Sequence, residues 1–547
     1  MLVCRFEAHQ NLASPTLLSF PNLTLQCKLL LAAAAGLLNW AVFPTTGLWP
    51  LAWICQVPLL VALFREPSGW RSALIGLVSG FVFFAGTCHW IGTVLSNYGG
   101  LHWVGASLLF LLLALYLSLF YALFAWAFSR LSLSGGSLCF WMAPAVWVAT
   151  EYLRGYVLTG FPWCLLGYGM VDAVNLVQIA KWTGVYGLSY ACISVSACVA
   201  GAVVRPSRLE ALRLIGVVSV LLCLVLGFAW TRRLPESPAH IARIVQTNIA
   251  LDEELDAIAR LSLLDELAGI STAPMEGDIR PPNAVRLILW PETPAAFYFN
   301  HDLGFRQHLE KIAVSAGAYL CFGFVDFRPA HGKELERAPY NSIGMLSPEG
   351  RAISQYDKIH LVPFGEYIPY ERFFFFVDKI STEAGNFQPG DRIVVTPLDG
   401  QRSVGAFVCY EAVVPDLVRR FARDGSQVLV NLTNDAWFGE SAAPFQHLAM
   451  ARMRAIENDR YLLRAANNGI SAIIDPMGRI SKAVARNQRV ALEGRFSFER
   501  QLTFYSQYGD VFAMACLASC LLVGAWRGVE WKRGSTNAGR DAWTRNV

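Results

Sequence analysis

Charge is what this sequence has least of. Only 16% of its 547 residues are Asp, Glu, Lys or Arg, against about 25% in an ordinary soluble domain. With 54% hydrophobic residues beside that deficit, a plain water-soluble globule is excluded. Disorder and fibrous repetition are excluded as well, because aromatics make up 13% and neither Gly nor Pro follows a period. Thirteen cysteines suggest a disulfide framework until they are placed. Only Cys321 and Cys409 fall between residues 234 and 500, and most others lie in apolar runs, where a thiol behaves as a small hydrophobe. Nine histidines are scattered without ligand spacing, so neither a metal site nor a cofactor is expected. His89, inside an apolar run, reads as a satisfied interior residue.

The scarcity of charge is regional. Residues 1–233 carry 12 Lys/Arg and 5 Asp/Glu, residues 234–500 carry 28 and 33, and residues 501–547 carry 5 and 3. The net charge of +4 thus divides into +7, −5 and +2. This predicts a membrane body (28–233) of seven spans, a water-facing domain (234–500), an eighth span (501–526), and two short flanks, 1–27 and 527–547. The spans are read at Leu29–Pro44, Leu48–Phe64, Ser72–Val94, Trp103–Phe128, Leu138–Tyr152, Val185–Val203, Leu214–Trp230 and Tyr508–Trp526. Most approach the roughly 20 apolar residues that a bilayer requires. Cationic residues recur in alternate loops: Arg65 and Arg71, then Arg130, then Arg205, Arg208 and Arg213, and finally the tail from Arg527 to Arg545. The first and third loops have none. Both termini are therefore expected in the cytoplasm and the domain outside, with Arg232 and Arg233 against the trend. Pro44-Thr45-Thr46-Gly47 is a poor cleavage site, so the first span does not read as a signal peptide.

Between the fifth and sixth spans stand Glu151 and Arg154, three residues apart, and the run Thr159-Gly160-Phe161-Pro162-Trp163. A carboxylate and a guanidinium at that spacing can share a helical face. The plain reading is an interfacial anchor with an aromatic belt residue, and the sharper one is the rim of a lipid site.

Past residue 240 the periodicity shortens. β-branched runs appear at Ala242–Gln246, Val285–Trp290, Ala318–Phe324, Asn341–Leu346, Val404–Val408, Gln427–Asn431 and Ser471–Ile474. Amphipathic stretches at Leu255–Ala268, Phe305–Ser315 and Gln446–Asn458 lie between them, which predicts a layered α/β domain. Three places in it can carry chemistry. Glu292 of Trp290-Pro291-Glu292 follows an apolar strand and can be a general base if burial raises its pKa, although a loop glutamate is the commoner explanation of such a tripeptide. Lys358 precedes the backbone-shaping Pro363 and Gly365 and can hold an oxyanion, or simply pair with Asp357 next door. Cys409 ends a strand before a predicted helix over Ala412–Arg423. A thiol at such an elbow meets a helix N-terminus that favours thiolate, and the Tyr410 N–H can face an oxyanion. Core packing is the alternative for an isolated Cys.

The order Trp290-Pro291-Glu292, Lys358, Cys409-Tyr410-Glu411, followed by Thr433–Gly439 and Arg452–Glu457, resembles the carbon–nitrogen hydrolase (nitrilase) superfamily. Within it, His360–Glu366, Pro444–His447, Asn467–Ser471 and the outer loop Thr159–Trp163 resemble the apolipoprotein N-acyltransferase family, over essentially residues 28–526. The resemblance implies an α-helical membrane bundle joined to an αββα nitrilase-like sandwich in a bacterial inner membrane, the catalytic domain in the periplasm. It implies a two-step transfer in which Cys409 takes an acyl chain from a phospholipid as a thioester. The N-terminal amine of a diacylglyceryl-cysteine apolipoprotein then receives it, in the last step of lipoprotein maturation. Glu292 is the implied proton carrier and Lys358 the implied oxyanion cation. Glu366 is a second glutamate beside them, and Tyr410, Glu411 and Trp437 are support around the nucleophile. Glu151, Arg154 and Trp163 gain weight as substrate-side residues.

A monomer is expected, with membrane lipids as partners and no nucleic acid. Four consecutive aromatics, Phe373–Phe376 with Phe374 and Phe375 at the centre, read as a lid dipping into lipid, with packing against the domain core as the alternative. The family often carries a Trp shortly after the domain's first strand, and Ile249–Ser262 has none, which bears on donor preference. Two other functions stay in view: a membrane-tethered amidase, in which water replaces the amine, and a transporter with an inert domain. The second is disfavoured by spans with few ionisable residues and no evident repeat.

Overall fold

The computed structural model describes residues 23–44, 46–133, 138–230, 238–251, 256–274, 283–293, 298–330, 333–370 and 386–544. The expected lid at Phe373–Phe376 lies outside the described residues.

The apolar half is helical. Among the described residues four helices are long and apolar enough to cross a membrane: Leu25–Val42, Gly69–Thr87, Trp103–Leu133 and Val185–Val204. The expected spans are all helical, but several differ in form from a single unbroken run. Leu48–Phe64 divides into a 3-10 turn, Trp49–Trp53, and a short helix, Val57–Leu63, because Pro50 and Pro58 each restart the backbone. Ser72–Val94 breaks at Cys88–His89, and a separate helix runs Trp90–Asn97. His89 at that break is exposed, contrary to the interior position expected of it. Helices at Leu138–Arg154, Arg208–Trp230 and Val511–Thr544 cover the remaining three. Close packing rests on small residues rather than on hydrophobic bulk. A Cβ on Gly76 would lie 2.4 Å from the Tyr121 carbonyl and 2.5 Å from the Ala125 Cβ, so helix Gly69–Thr87 meets Trp103–Leu133 almost backbone to backbone.

The second half is built on twelve strands: β1 His240–Gln246, β2 Arg286–Leu289, β3 Tyr319–Ala330, β4 Lys333–Leu346, β5 Ala352–Asp357, β6 Val395–Pro397, β7 Ser403–Val408, β8 Val428–Thr433, β9 Leu462–Ala466, β10 Ala472–Ile474, β11 Ile480–Ala483 and β12 Val490–Phe496. They form two six-stranded sheets, in the orders β12-β1-β2-β3-β4-β5 and β11-β10-β9-β8-β7-β6. β1, β2 and β3 run parallel, as do β7, β8 and β9. Near-continuous apolar runs such as Val428–Thr433, buried at every position, suit strands covered on both faces. Ile244, Leu287 and Leu289 of one sheet share a core with Phe407, Leu429 and Leu463 of the other. Helices Ala257–Thr272 and Leu303–Ala316 cover the first sheet through Leu264, Leu267, Leu309 and Ile312. Helices Pro415–Arg423 and Ala443–Asn458 cover the second through Val418, Phe421, Ala451 and Ala455. The domain is thus the four-layer sandwich the motifs implied, and it brings the carboxyl ends of β2, β5, β7 and β8 together.

Candidate active site

Glu292, Lys358 and Cys409 stand just beyond the ends of β2, β5 and β7, and the fold brings them into one buried cluster. The Cys409 thiol and Glu292 are both buried beside each other, close enough that the carboxylate acts on the thiol and the thiol on the carboxylate. Lys358 Nζ lies 3.6 Å from Glu292 Oε1 and 2.9 Å from Glu366 Oε1. Asp357 does not take Lys358, because it pairs with Arg328 at 2.6 Å and accepts from Ser342 Oγ at 2.7 Å. Glu292 itself is pinned: Asn341 Nδ2 donates to Oε1 at 2.8 Å and the Asn434 N–H to Oε2 at 2.8 Å. Its backbone passes so close to β3 that a Cβ on Gly323 would lie 2.8 Å from the Glu292 Cα. Glu366 is fixed by the Val362 N–H at 2.8 Å.

Electrostatics follow from burial. Burial lifts Glu292 above the ordinary carboxylate range, opposed chiefly by Lys358. Against the burial that would lower it, Glu366 and Glu292 hold the Lys358 ammonium above its ordinary value. Burial, and then the Glu292 charge, push the Cys409 thiol well up. This corrects the expectation of a thiolate at a helix N-terminus. Residues Cys409–Val413 form a 3-10 turn and the helix begins only at Pro415, so burial outweighs any dipole at the sulfur. Burial thus favours the protonated thiol, and a carboxylate held beside it is placed to exchange its proton.

The elbow is strained and braced. Cys409 has φ +46°, a left-handed conformation that costs a non-glycine residue energy. Glu411, fully buried, accepts from the Val408 N–H at 2.7 Å, the Ile359 N–H at 2.7 Å, the His360 N–H at 3.1 Å and Tyr356 OH at 2.7 Å. One carboxylate therefore ties the nucleophile's strand to the lysine's loop. Behind the sulfur, Thr433 Oγ1 lies 3.3 Å from Cys409 Sγ and 3.0 Å from Asp435 Oδ1. One ring nitrogen of His447 lies 3.1 Å from the Cys409 carbonyl oxygen, and the other 3.1 Å from both Asp435 and Arg464. Arg464 closes this network on Asp435 at 2.8 Å and on Asn431. Against burial, Arg464 and His447 hold Asp435 well below its usual range, while burial and Arg464 keep His447 low.

Tyr410 reaches the apolar half. Its ring stacks on Trp163, 6.2 Å between centroids, and on His360 at 5.9 Å. Trp163 Nε1 donates to Gln446 Oε1 at 2.8 Å, one residue before His447. Arg154 is buried and donates to the carbonyls of Phe161 at 3.1 Å and Trp163 at 2.8 Å, and Glu151 Oε1 accepts from the Leu166 N–H at 2.8 Å. Their buried role is to shape the loop that delivers Trp163. Trp437, 38% exposed, meets Tyr98 edge-on at 5.2 Å and stands at the periphery.

Sequence reasoning gave no role to Asn341, Asn431, Asp435, His447 or Arg464. The signal was present as polar residues in otherwise apolar strands, in Val-Asn-Leu-Thr and Leu-Leu-Arg-Ala-Ala. A buried polar group has to find a partner, and here the partners converge on the elbow.

Residues 35–198 match the family described as Apolipoprotein N-acyltransferase N-terminal domain, and residues 242–493 match Carbon-nitrogen hydrolase. An apolipoprotein N-acyltransferase of Geobacter metallireducens is 36% identical over 91% of this chain and 94% of its own length. That of Brucella melitensis is 35% identical over 76% and 77%, and that of Pseudomonas aeruginosa 33% over 91% and 95%. An amidase structure from Nesterenkonia sp. is similar at a TM-score of 0.35 and 19% identity, over 49% of this chain and 95% of that one. By the length and identity of its match to these relatives, the chain belongs to the apolipoprotein N-acyltransferase family.

Proposed function

We propose that the enzyme N-acylates the terminal diacylglyceryl-cysteine of apolipoproteins from a phospholipid donor, with Cys409 as the acyl carrier. Glu292 removes the Sγ proton as sulfur attacks the ester carbonyl carbon, and the oxygen that gains charge is held by the Lys358 ammonium and the Tyr410 N–H. When the C–O bond breaks, Glu292 returns the proton to the leaving glyceryl oxygen, which releases a lysophospholipid and leaves a thioester. The acceptor amine then attacks the thioester and Glu292 takes its proton. The C–S bond breaks and the sulfur leaves as a thiol, reprotonated by Glu292. Two easier steps replace one difficult transfer.

The observation that carries this reading is the junction between halves: the thiol–Glu292–Lys358 cluster adjoins Tyr410, and Tyr410 is stacked on Trp163 from the apolar helices. A hydrolase of soluble amides has no need of such a coupling.

We place the domain 234–500 on the periplasmic side of an inner membrane, both termini in the cytoplasm, with eight spans in all. The additional crossings are Trp49–Leu63, Leu138–Arg154, Arg208–Trp230 and the apolar stretch Val511–Arg527. Charge supports this orientation. Lys28 pairs with Glu66 at 2.6 Å, and Ser129 Oγ donates to the Glu66 carbonyl at 2.6 Å, so cationic loops gather at one end of the helices. Trp163 and Gln446 meet at the domain.

The test is mass spectrometry of the protein incubated with phospholipid alone. An acyl adduct on Cys409, absent in Cys409→Ser and discharged by a diacylglyceryl peptide, is expected. Rapid loss of the adduct to water without an amine would favour the amidase reading, and no adduct at all would overturn both.

A further inference from the structure

Asn341 lies on β4 with its side chain buried, between two catalytic-loop carboxylates. Both N–H bonds of its amide are spent on them, at 2.8 Å to Glu292 Oε1 and 3.0 Å to Glu366 Oε1. The same two oxygens face Lys358 Nζ, at 3.6 and 2.9 Å. One ammonium and one neutral amide thus share a single pair of acceptors. The amide's orientation is fixed by its surroundings, because turning it over would aim Oδ1 at two carboxylate oxygens.

The opposite end of the amide shows what this arrangement costs. Asn341 Oδ1 is buried without a hydrogen-bond partner. β4 pairs with β3 and β5 through its backbone, and the Asn341 carbonyl accepts from the Lys358 N–H at 2.8 Å, which any residue could offer. Packing and pairing therefore do not call for this side chain, whose unsatisfied oxygen is unfavourable. Only the two carboxylates use it.

Glu292 and Glu366 repel each other, and burial sharpens that repulsion. With Lys358 alone to reconcile them, the ammonium would settle between them and draw Glu292 into a close ion pair, turned from the thiol. The amide removes that need. Glu292 Oε1 is satisfied by Asn341 and Oε2 by the Asn434 N–H, while Lys358 stays with Glu366. We propose that Asn341 is a positioning residue that apportions the two carboxylates, holding Glu292 apart from Lys358 and aimed at Cys409 while Lys358 stays on Glu366. It acts through Glu292, and the proposal rests on the assignment of Glu292 as proton carrier.

The test uses the full-length protein in detergent and two variants, Asn341→Ser and Asn341→Asp, each checked for its melting temperature. The first readout is iodoacetamide alkylation of Cys409 against pH, which needs no lipid. The groups facing Glu292 are Lys358, Glu366 and Cys409, and none is changed by these substitutions. Loss of the amide donors raises the proton affinity of Glu292, so the rise of alkylation with pH is expected about one unit higher in Asn341→Ser. In Asn341→Asp, which adds a third negative charge, the rise is expected higher still. The second readout is thioester formation from dipalmitoyl phosphatidylethanolamine. Its kcat is expected to fall about 10- to 100-fold near neutral pH and to recover partly at higher pH, with KM for the lipid within about twofold. Unmoved pH profiles in both variants, with any loss of rate accounted for by the folded fraction, would overturn the proposal. If wild-type Cys409 is alkylated but never acylated, the functional reading fails while the alkylation profiles still decide the role of Asn341.

Discussion

The two halves of the molecule bury charge for different ends. In the apolar half, the buried Arg154 and Glu151 spend themselves on backbone: three main-chain groups of one loop. Glu66 likewise meets Lys28 and holds the Ser68 N–H at 3.2 Å. These charges are structural props for loops that lipid cannot hydrate. In the sandwich, buried charges lean on one another, Lys358 with Glu366 and Glu292, and Arg464 with Asp435 and His447. Among mutually dependent ions each one shifts the proton affinity of the next, as Lys358 and Glu366 do for Glu292, whereas charges spent on backbone hold a loop in place. The halves meet where a prop of the first kind, Arg154, fixes the ring that abuts the second.

The sharpest way to break the contrast is at the sulfur. Cys409→Ser is expected to lower acyl transfer by at least roughly 1000-fold with little change in melting temperature, because the side chain is not a prop. Glu292→Gln, measured by single-turnover acylation, is expected to cost roughly 100- to 10,000-fold, the span of a general base. Arg464→Leu tests mutual dependence. It leaves Asp435 and His447 buried without their partner and is expected to destabilise the sandwich by about 3–5 kcal/mol, read by denaturation. The bridge between the halves is tested by Trp163→Phe, which keeps a ring for Tyr410 but removes the donor to Gln446. A cost of about 1–3 kcal/mol is expected, together with slower Cys409 alkylation. Unaltered alkylation would mean that the elbow does not feel the loop.

The smallest effect concerns pH. Burial pushes Glu457, between Arg454 and the Val185 N–H, up to about 7, whereas an unfolded glutamate titrates near 4.3. A raised folded-state value favours the protonated form on folding. Its contribution is full at acid pH and is lost as pH rises through about 7. Glu457→Gln should therefore gain melting temperature relative to wild type as pH rises from about 4 to about 7, with no further gain above that. Parallel curves would place the proton elsewhere.

Most of the frame was legible in the sequence, and its gaps have physical causes. All seven expected strands exist, since runs such as Val404–Val408 and Gln427–Asn431 carry valines in a short, largely apolar stretch that suits a covered strand. The five unforeseen strands are short or lack a clear β-branched or alternating signal; β9, Leu-Leu-Arg-Ala-Ala, is buried throughout yet has no β-branched residue. β5 reads Ala-Ile-Ser-Gln-Tyr-Asp, and β11 is exposed at all four positions, so neither carries a burial pattern. The expected count of membrane spans came from hydropathy, which does not register where Pro58 or the Cys88–His89 break divides a run. At the site, Glu292 and Cys409 were legible because each follows a strand that could be recognised, and Lys358, beyond the unforeseen β5, because it stands in a segment with few other charges before Pro363 and Gly365 and in the motif order. The polar brace was not, because its members come from β4, β8, β9 and helix Ala443–Asn458 and meet only once both sheets are stacked. The state of the thiol was misjudged for the same reason: a local turn suggests a dipole, while desolvation depends on everything around it.

The ring contacts that Tyr410 makes with His360 and Trp163 limit how this enzyme can be taken apart. A soluble fragment carved from the sandwich would keep each reacting group yet uncover one face of the tyrosine beside the sulfur and leave the Gln446 amide oxygen without its indole donor. Anchor and engine share a bearing surface, and severing one loosens the other.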